Sequence, residues 1–367
     1  MQPHRDVLII GAGPTGLATA LFLTQNGYKP RIIDRNTSPS PYSKAFGVNA
    51  RSLELLEATG VTARFLHHGR RMRNLNLRHG DRVLAQLRLG EVQHRFPFMC
   101  VQGQEASERM LREALAERGI EVEWGTTVAQ IHDDGGRPIV EVQTTSASTT
   151  VRPDIVLAAD GASSTVRKAL NISFDGVKYD EPWKLYDIEL TGPLDADDGH
   201  IFLLDDGGMF VVRHESNVWR VLGNVPDMLS RLPAGTQLGP VSWESEFAIS
   251  NRVAGRFSHG GIYLAGDAAH VHAGIGARGM NLGIEDAFVF AQLYHRGELD
   301  RYDVLRRPVI HKVVGQIERA MAVPRASTVP GRIVRAFPRI VQLLVPLVRS
   351  RVQPWILGLD HEIGIAA

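Results

Sequence analysis

Gly11-Ala12-Gly13-Pro14-Thr15-Gly16 follows the β-branched run Val7–Ile10 and opens a stretch with Leu17, Ala20, Leu21 and Thr24 at helical spacing. A G-x-G-x-x-G turn between a strand and a helix is chemistry for a pyrophosphate. The first glycine makes the turn, the second lets the phosphates approach the backbone, and the third lets helix and strand pack. Free N–H groups at the helix start supply the counter-charge. Arg31-Ile-Ile-Asp34 reads as the next, parallel strand, with Asp34 placed to accept hydrogen bonds from a ribose. The motif leaves NAD and FAD both open. A second match, Gly274-Ile-Gly276-Ala-Arg-Gly279, has no strand directly before it and reads as a loop delivering a helix N-terminus.

The elements that must position these groups follow from periodicity. Helices are expected over about Arg51–Thr59, Glu105–Arg118 and Gly279–Tyr294, with strands at Ile120–Trp124 and Val128–His132 and a hairpin through Asp133-Asp-Gly-Gly into Ile139–Thr144. Between 183 and 223, short strands (Leu185–Leu190, Ile201–Leu204, Met209–Arg213, Val218–Gly223) alternate with Gly- and Asp-rich turns, the texture of an inserted antiparallel sheet. Gly261–Ala265 is again a buried strand. The tail from Asp300 reads as helical, interrupted by prolines 308, 324, 330, 338 and 346.

The chain has 367 residues, 44% hydrophobic and 22% charged, enough for a large core. Its 41 basic and 40 acidic side chains nearly cancel, so bulk charge offers no case for nucleic-acid binding. A single cysteine, Cys100, excludes an internal disulfide framework and fits a reducing, cytoplasmic setting. Neither a signal peptide nor a stretch of about 20 apolar residues is visible, and no transmembrane segment is expected.

Three distant segments narrow the chemistry. Asp154-Ile-Val-Leu-Ala-Ala-Asp160-Gly161 ends a strand in Asp-Gly, with Val-Arg167 in the helix that follows; Gly266-Asp267-Ala-Ala-His270 ends another; Gly279-Met280-Asn281-Leu-Gly-Ile-Glu-Asp286 begins the long helix. With the N-terminal turn, Ser43-Lys44-Ala45, Arg51, Gln104 with Glu108, and Tyr302 with Arg306-Arg-Pro308, the chain resembles the FAD-dependent aromatic hydroxylases over about residues 6–320. In texture it is similar to the phenol and polyketide hydroxylases without their C-terminal thioredoxin-like domain.

The resemblance implies an α/β fold: a Rossmann-like FAD-binding domain (1–175 with 245–300), an inserted mainly antiparallel substrate-binding sheet (176–244 with part of 65–100) and C-terminal helices (301–367). It implies an NAD(P)H- and FAD-dependent monooxygenase that hydroxylates a phenolic or polycyclic aromatic substrate with O2 through a flavin C4a-hydroperoxide. An epoxidase, a Baeyer–Villiger oxygenase and a non-oxygenating FAD-binding partner or sensor stay open, as does NADH against NADPH. FAD would be held by Gly11, Gly13, Pro14, Thr15, Gly16, Asp34, Arg35, Lys44, Arg51, Gln104, Val128, Asp160, Asp267, Gly279, Met280 and Asn281. Substrate candidates on the inserted sheet are Tyr186, Met209, Phe210, Arg213 and His214; no general base is assigned.

His270 and His272 are expected in a loop role, with no metal site. The family usually has proline where this chain has Ala273 and Gly274, which implies a looser loop and more uncoupled peroxide. Residues 301–351 carry eleven Lys/Arg against two Asp/Glu. The expectation is a helix pair packed on the body, at a homodimer contact, with a membrane-surface helix as the alternative.

Overall fold

The computed structural model describes residues 6–41, 45–322, 328–329, 332–333, 337 and 339–365. A six-stranded sheet forms the centre, in the order Ser258–His259, Ile262–Leu264, Ile155–Ala158, Val7–Ile10, Arg31–Ile33, Val122–Glu123. Its pairings are parallel except at the Ser258–His259 edge. Both faces are covered, so Val7–Ile10 and Ile155–Ala158 are buried at every position, as a continuous apolar run requires. The helices include α1 (Pro14–Gln25), α2 (Ala50–Leu56), α3 (Val61–His68), α4 (Gln104–Ala116), α5 (Thr165–Ala169), α6 (Arg278–Arg296), α7 (Tyr302–Met321) and α8 (Arg339–Ile356). α1 packs on α6 and α4, closing the core around Leu17, Leu21, Phe22 and Phe288.

An eight-stranded sheet stands beside this core, in the order 270–271, 237–254, 174–191, 218–223, 207–213, 199–204, 74–79, 82–88. All its pairings are antiparallel except 199–204 with 74–79. The four strands expected between 183 and 223 are present, but the first is part of an 18-residue strand, Phe174–Thr191, paired with another, Gln237–Ala254. One sheet face joins the main core through Leu185, Val212 and Leu222; the other closes a second core of Ile188, Met209, Val211, Trp219 and Val221.

Three expected boundaries differ. The strand expected at Ile120–Trp124 is ordered as Val122–Glu123 only, because α4 and its Gly119 turn occupy the approach. α6 begins at Arg278, one residue before Gly279. Pro308 does not break α7, and α8 runs through Pro346 and Pro354. Prolines 324, 330 and 338 lie outside the described residues.

Candidate cofactor and substrate site

The glycine turn is a steric necessity. Gly11 has φ +103°, and a Cβ there would sit 2.3 Å from the Ala159 carbonyl oxygen; one on Gly16 would sit 1.9 Å from the Gly11 oxygen. Gly13 differs: it caps α1, and nothing lies within 4 Å of where its Cβ would be. The turn therefore closes on the sheet with two glycines and leaves the third facing a cleft of about 230 Å³. Pro14 occupies the first helical position, where its missing N–H costs no bond. Thr15 packs its Oγ1 into the space left by Gly266 and Gly283, locking α1 against α6.

Asp34 leaves the end of its strand with Oδ2 accepting from the Ala12 N–H (2.7 Å) and Oδ1 from the Asn36 N–H (2.8 Å). Each carboxylate oxygen keeps a second lone pair for a ribose hydroxyl. Arg35, Val128, Trp124, Thr126 and Glu108 line the same cleft. Burial pushes the Glu108 carboxyl up, against the hydrogen bond it accepts from Gln104 Nε2 at 2.7 Å. Asp160 Oδ2 accepts from Thr165 and Val166 N–H at the start of α5, at 2.8 and 3.2 Å, while its buried Oδ1 has no partner among the described residues. An orphaned acceptor beside an open glycine suits a ligand that brings hydroxyl donors, as FAD does.

Farther along, Asp267 is exposed on a single turn after the strand Ile262–Leu264. Arg51 bonds Glu54 at 3.1 Å and the His361 carbonyl at 3.4 Å, and its buried Nε has no partner among the described residues. Lys44 and Ser43 lie outside the described residues. By helix geometry the N–H groups of Arg278, Gly279 and Met280 lack intrahelical acceptors, a set shifted one residue earlier than the sequence placed it. Asn281 is instead a staple: Oδ1 accepts from Asn49 N–H (2.9 Å), and Nδ2 donates to Gly47 O (2.9 Å) and Ala277 O (2.6 Å). His272 lies against Gly279; burial pushes its imidazole down to about 4, and its buried Nε2 has no partner among the described residues.

The loop before α6 lacks the family's prolines yet is tied down. Asn251, buried, accepts from the Ala273 N–H at 2.9 Å and donates to Tyr179 Oη at 3.2 Å. A proline at 273 would remove that donor. Asn251→Ala is expected to cost about 1–3 kcal/mol, the penalty of an unsatisfied buried N–H. Urea unfolding, with faster hydrogen exchange at Ala273, measures it.

Strand alternation separates the five substrate candidates. Phe210 faces the body and stacks on Phe46 with centroids 5.2 Å apart. His214 lies at the end of that face, its Nε2 3.4 Å from Asp187 Oδ1. Met209 and Tyr186 turn to the opposite face and pack in or against the second core, so they share no wall with Phe210. Arg213 points the same way as Met209, bonding Ala196 O (3.2 Å) and Asp197 (3.4 Å).

The charged group on the body face is one the sequence did not single out. Asp187 and Arg220, adjacent in register, form a buried bidentate pair at 2.8 and 2.6 Å. Arg220 also donates to Ala45 O (3.2 Å) and lies over Trp243. Burial opposes the Asp187 carboxylate, but Arg220 and then His214 outweigh it and hold its pKa down. Arg220 inside the otherwise apolar run Val218–Gly223 was the available signal, whereas Asp187 shares its run with Glu189.

Behind α6 runs a buried ionic chain. His270 Nε2 meets Asp286 Oδ2 at 2.7 Å; Arg306 donates to Asp286 (2.7 Å) and Glu285 (3.3 Å); His361 meets Glu285 at 2.7 Å and Asp360 at 3.2 Å; Arg278 bonds Asp360 at 2.9 Å and the Trp355 carbonyl. This chain fastens the tail after α8 to the first turn of α6. Burial disfavours the His361 imidazolium, yet hydrogen bonds to Asp360 and Glu285 outweigh it and raise its pKa. Lys312, reaching Asp360 O, and Arg306 face the same cluster from α7, and Arg51 faces it from α2.

A raised histidine stabilises fully below its unfolded pKa, and the contribution fades as pH rises through the folded value. Thermal unfolding from pH 6 to 9 should therefore show a falling melting temperature that flattens in His361→Gln. An unchanged slope would detach the tail from this titration.

Residues 4–221 and 225–316 match the family described as FAD binding domain. The chain is 31% identical over 338 residues to pentachlorophenol 4-monooxygenase of Sphingobium chlorophenolicum, covering 84% of this chain and 63% of that protein. It is 31% identical over 352 residues to 6-methylpretetramide 4-monooxygenase of Streptomyces rimosus, covering 88% and 63%. The chain thus spans less than two thirds of these curated relatives. Among solved structures, p-nitrophenol 4-monooxygenase PnpA from Pseudomonas putida DLL-E4 superposes with a TM-score of 0.87 at 22% identity over 98% of both chains, a likeness of fold. The OxyS anhydrotetracycline hydroxylase of Streptomyces rimosus gives 0.79 at 26%, over 99% of this chain and 78% of that one. With Gly13 and the acidic acceptor Asp160 lining one cleft beside the glycine turn, and with most of its length matched, the chain belongs to the FAD binding domain family.

Proposed function

We propose that the chain is an NAD(P)H- and FAD-dependent monooxygenase that hydroxylates a phenolic or polycyclic aromatic substrate. Two observations carry this reading: Gly13 and Asp160, whose Oδ1 has no partner among the described residues, line one cleft, and residues 45–47 join the start of α6, through Asn281, to the sheet face bearing Phe210 and the Asp187–Arg220 pair. Relatives named for pentachlorophenol, 6-methylpretetramide and p-nitrophenol support a phenolic substrate class.

FAD held there would supply hydride acceptance from the nicotinamide and oxygen activation next to the substrate ring. The chain's own residues would do the rest. Asp34 and Arg35 would hold the adenosine end, the glycine turn and the first turn of α1 the pyrophosphate, and Asp160 and Asp267 would accept from hydroxyl groups. The N–H groups of Arg278, Gly279 and Met280 would stabilise negative charge on the flavin pyrimidine. Phe46 and Phe210 would hold an aromatic ring and exclude water. Arg220, fixed by Asp187, would favour an ionised phenol over a neutral one.

The same reading assigns 1–175 with 245–300 to cofactor binding, 176–244 with part of 65–100 to the substrate wall, and 301–367 to helical closure. NAD(P)H consumption in air across a panel of phenols tests it. Substrate-stimulated oxidation with labelled oxygen in a hydroxylated product is expected. An epoxide or lactone product would move the chemistry to another oxygenase class, and no stimulation by any phenol would leave a flavin-binding redox protein.

A further inference from the structure

Seven of the exposed large apolar side chains cluster in one stretch: Val329, Ile333, Phe337, Leu343, Leu344, Leu347 and Val348, with Leu343 at 72% and Leu347 at 75% exposure. α8 is anchored by its other side. Ile340 and Val345 pack on Leu84 and Leu203, Gln353 Nε2 donates to Arg88 O at 2.8 Å, and Arg349 pairs with Glu91 at 3.4 Å. Its free face presents Leu343, Leu347 and Arg351 one helical turn apart, flanked by Leu344 and Val348. An apolar stripe of this kind on a monomeric surface marks a contact with something.

Charge decides what that something is. From 319 to 359 the sequence has seven arginines and no Asp or Glu. Arg349 is already held by Glu91, but a symmetric dimer through this face would bring the exposed Arg351 of each copy to the seam with no acid on α8 to pair with it. A helix whose free side is apolar and whose sequence carries only basic charges instead matches an anionic lipid surface, where acyl chains take the leucines and headgroups the exposed Arg351. None of the described helices is long and apolar enough to cross a membrane, so the contact lies in the interfacial plane. We infer that α8 docks the protein peripherally on an anionic bilayer. The ionic chain that fastens the tail to α6 would then hold the site at the membrane surface, where apolar aromatic compounds concentrate.

Vesicle sedimentation of the full chain with bound FAD tests this. Vesicles of phosphatidylcholine with about 30% phosphatidylglycerol should bind at least about tenfold more protein at low salt than phosphatidylcholine alone, and added salt should release it. Leu343→Ser with Leu347→Ser, and separately Arg351→Glu, should each cut that binding about tenfold while melting temperature and flavin content stay unchanged. Equal partition into both vesicle types would overturn the inference. So would anionic binding that neither variant moves, or leucine substitutions whose only effect is to turn a dimer into a monomer.

Discussion

Arg306→Leu should lose about 3–5 kcal/mol of stability, the cost of leaving a buried partner's charge uncompensated. Arg306 is fully buried and is the cation between Asp286 and Glu285, both also fully buried. Asp286 additionally accepts from the Gly266 N–H (3.0 Å), which positions the turn carrying Asp267. The damage should therefore reach the cofactor site as well as the fold. Burial disfavours both carboxylates, but their charged and hydrogen-bonding neighbours outweigh it and lower their pKa values, so without Arg306 one of them must take up a proton or unfold the site. Chemical denaturation measures the loss. Adding Asp286→Asn to Arg306→Leu should recover part of it, because the orphaned charge is gone; a double variant no better than the single one would mean that packing, not charge, governs this cluster.

Gly13→Val should leave melting of the FAD-free protein nearly unchanged while weakening FAD binding by on the order of 100-fold, about 2.7 kcal/mol. The contrast follows from the two kinds of glycine in one motif. Gly13 has an ordinary φ of −74° and open space at its Cβ position, so a valine strains nothing in the protein and projects into the cleft. Gly11→Ala, by comparison, drives a methyl group into the Ala159 carbonyl and should lower stability even without ligand. Titration of FAD into the apo-protein, followed by flavin fluorescence, separates the two. Equal FAD affinity in Gly13→Val would place the pyrophosphate elsewhere.

Local rules made the first βαβ unit legible, because a fully buried strand, a glycine turn and an apolar helix buried without a break from Gly16 to Leu23 all sit within one short stretch. The strands between 199 and 223 were legible for the same reason. The two 18-residue strands were not: Gln237–Ala254 is largely exposed over its first half, so it lacks the apolar alternation that announces a strand, and only its pairing with Phe174–Thr191 orders it. The tail was legible as helical, but its prolines are poor guides to the breaks: α8 runs through Pro346 and Pro354, ordered by packing on the strand Arg82–Arg88. Site residues divide similarly. The glycine turn and Asp34 are defined by sequence spacing, whereas Asp187–Arg220 and the chain from His270 to Arg278 join residues from separate elements, which no periodicity reports. Tyr186 and Met209 show the limit of reading a strand without its register: one step along the chain reverses the face.

All of these roles presuppose that the cleft beside Gly13 holds the flavin. Equilibrium titration of the purified apo-chain with FAD, read by the visible absorption of the bound chromophore, measures that directly. Stoichiometric uptake that is lost in Gly13→Val and retained in Met209→Leu is the expected result; a chain that stays colourless at saturating FAD would contradict it.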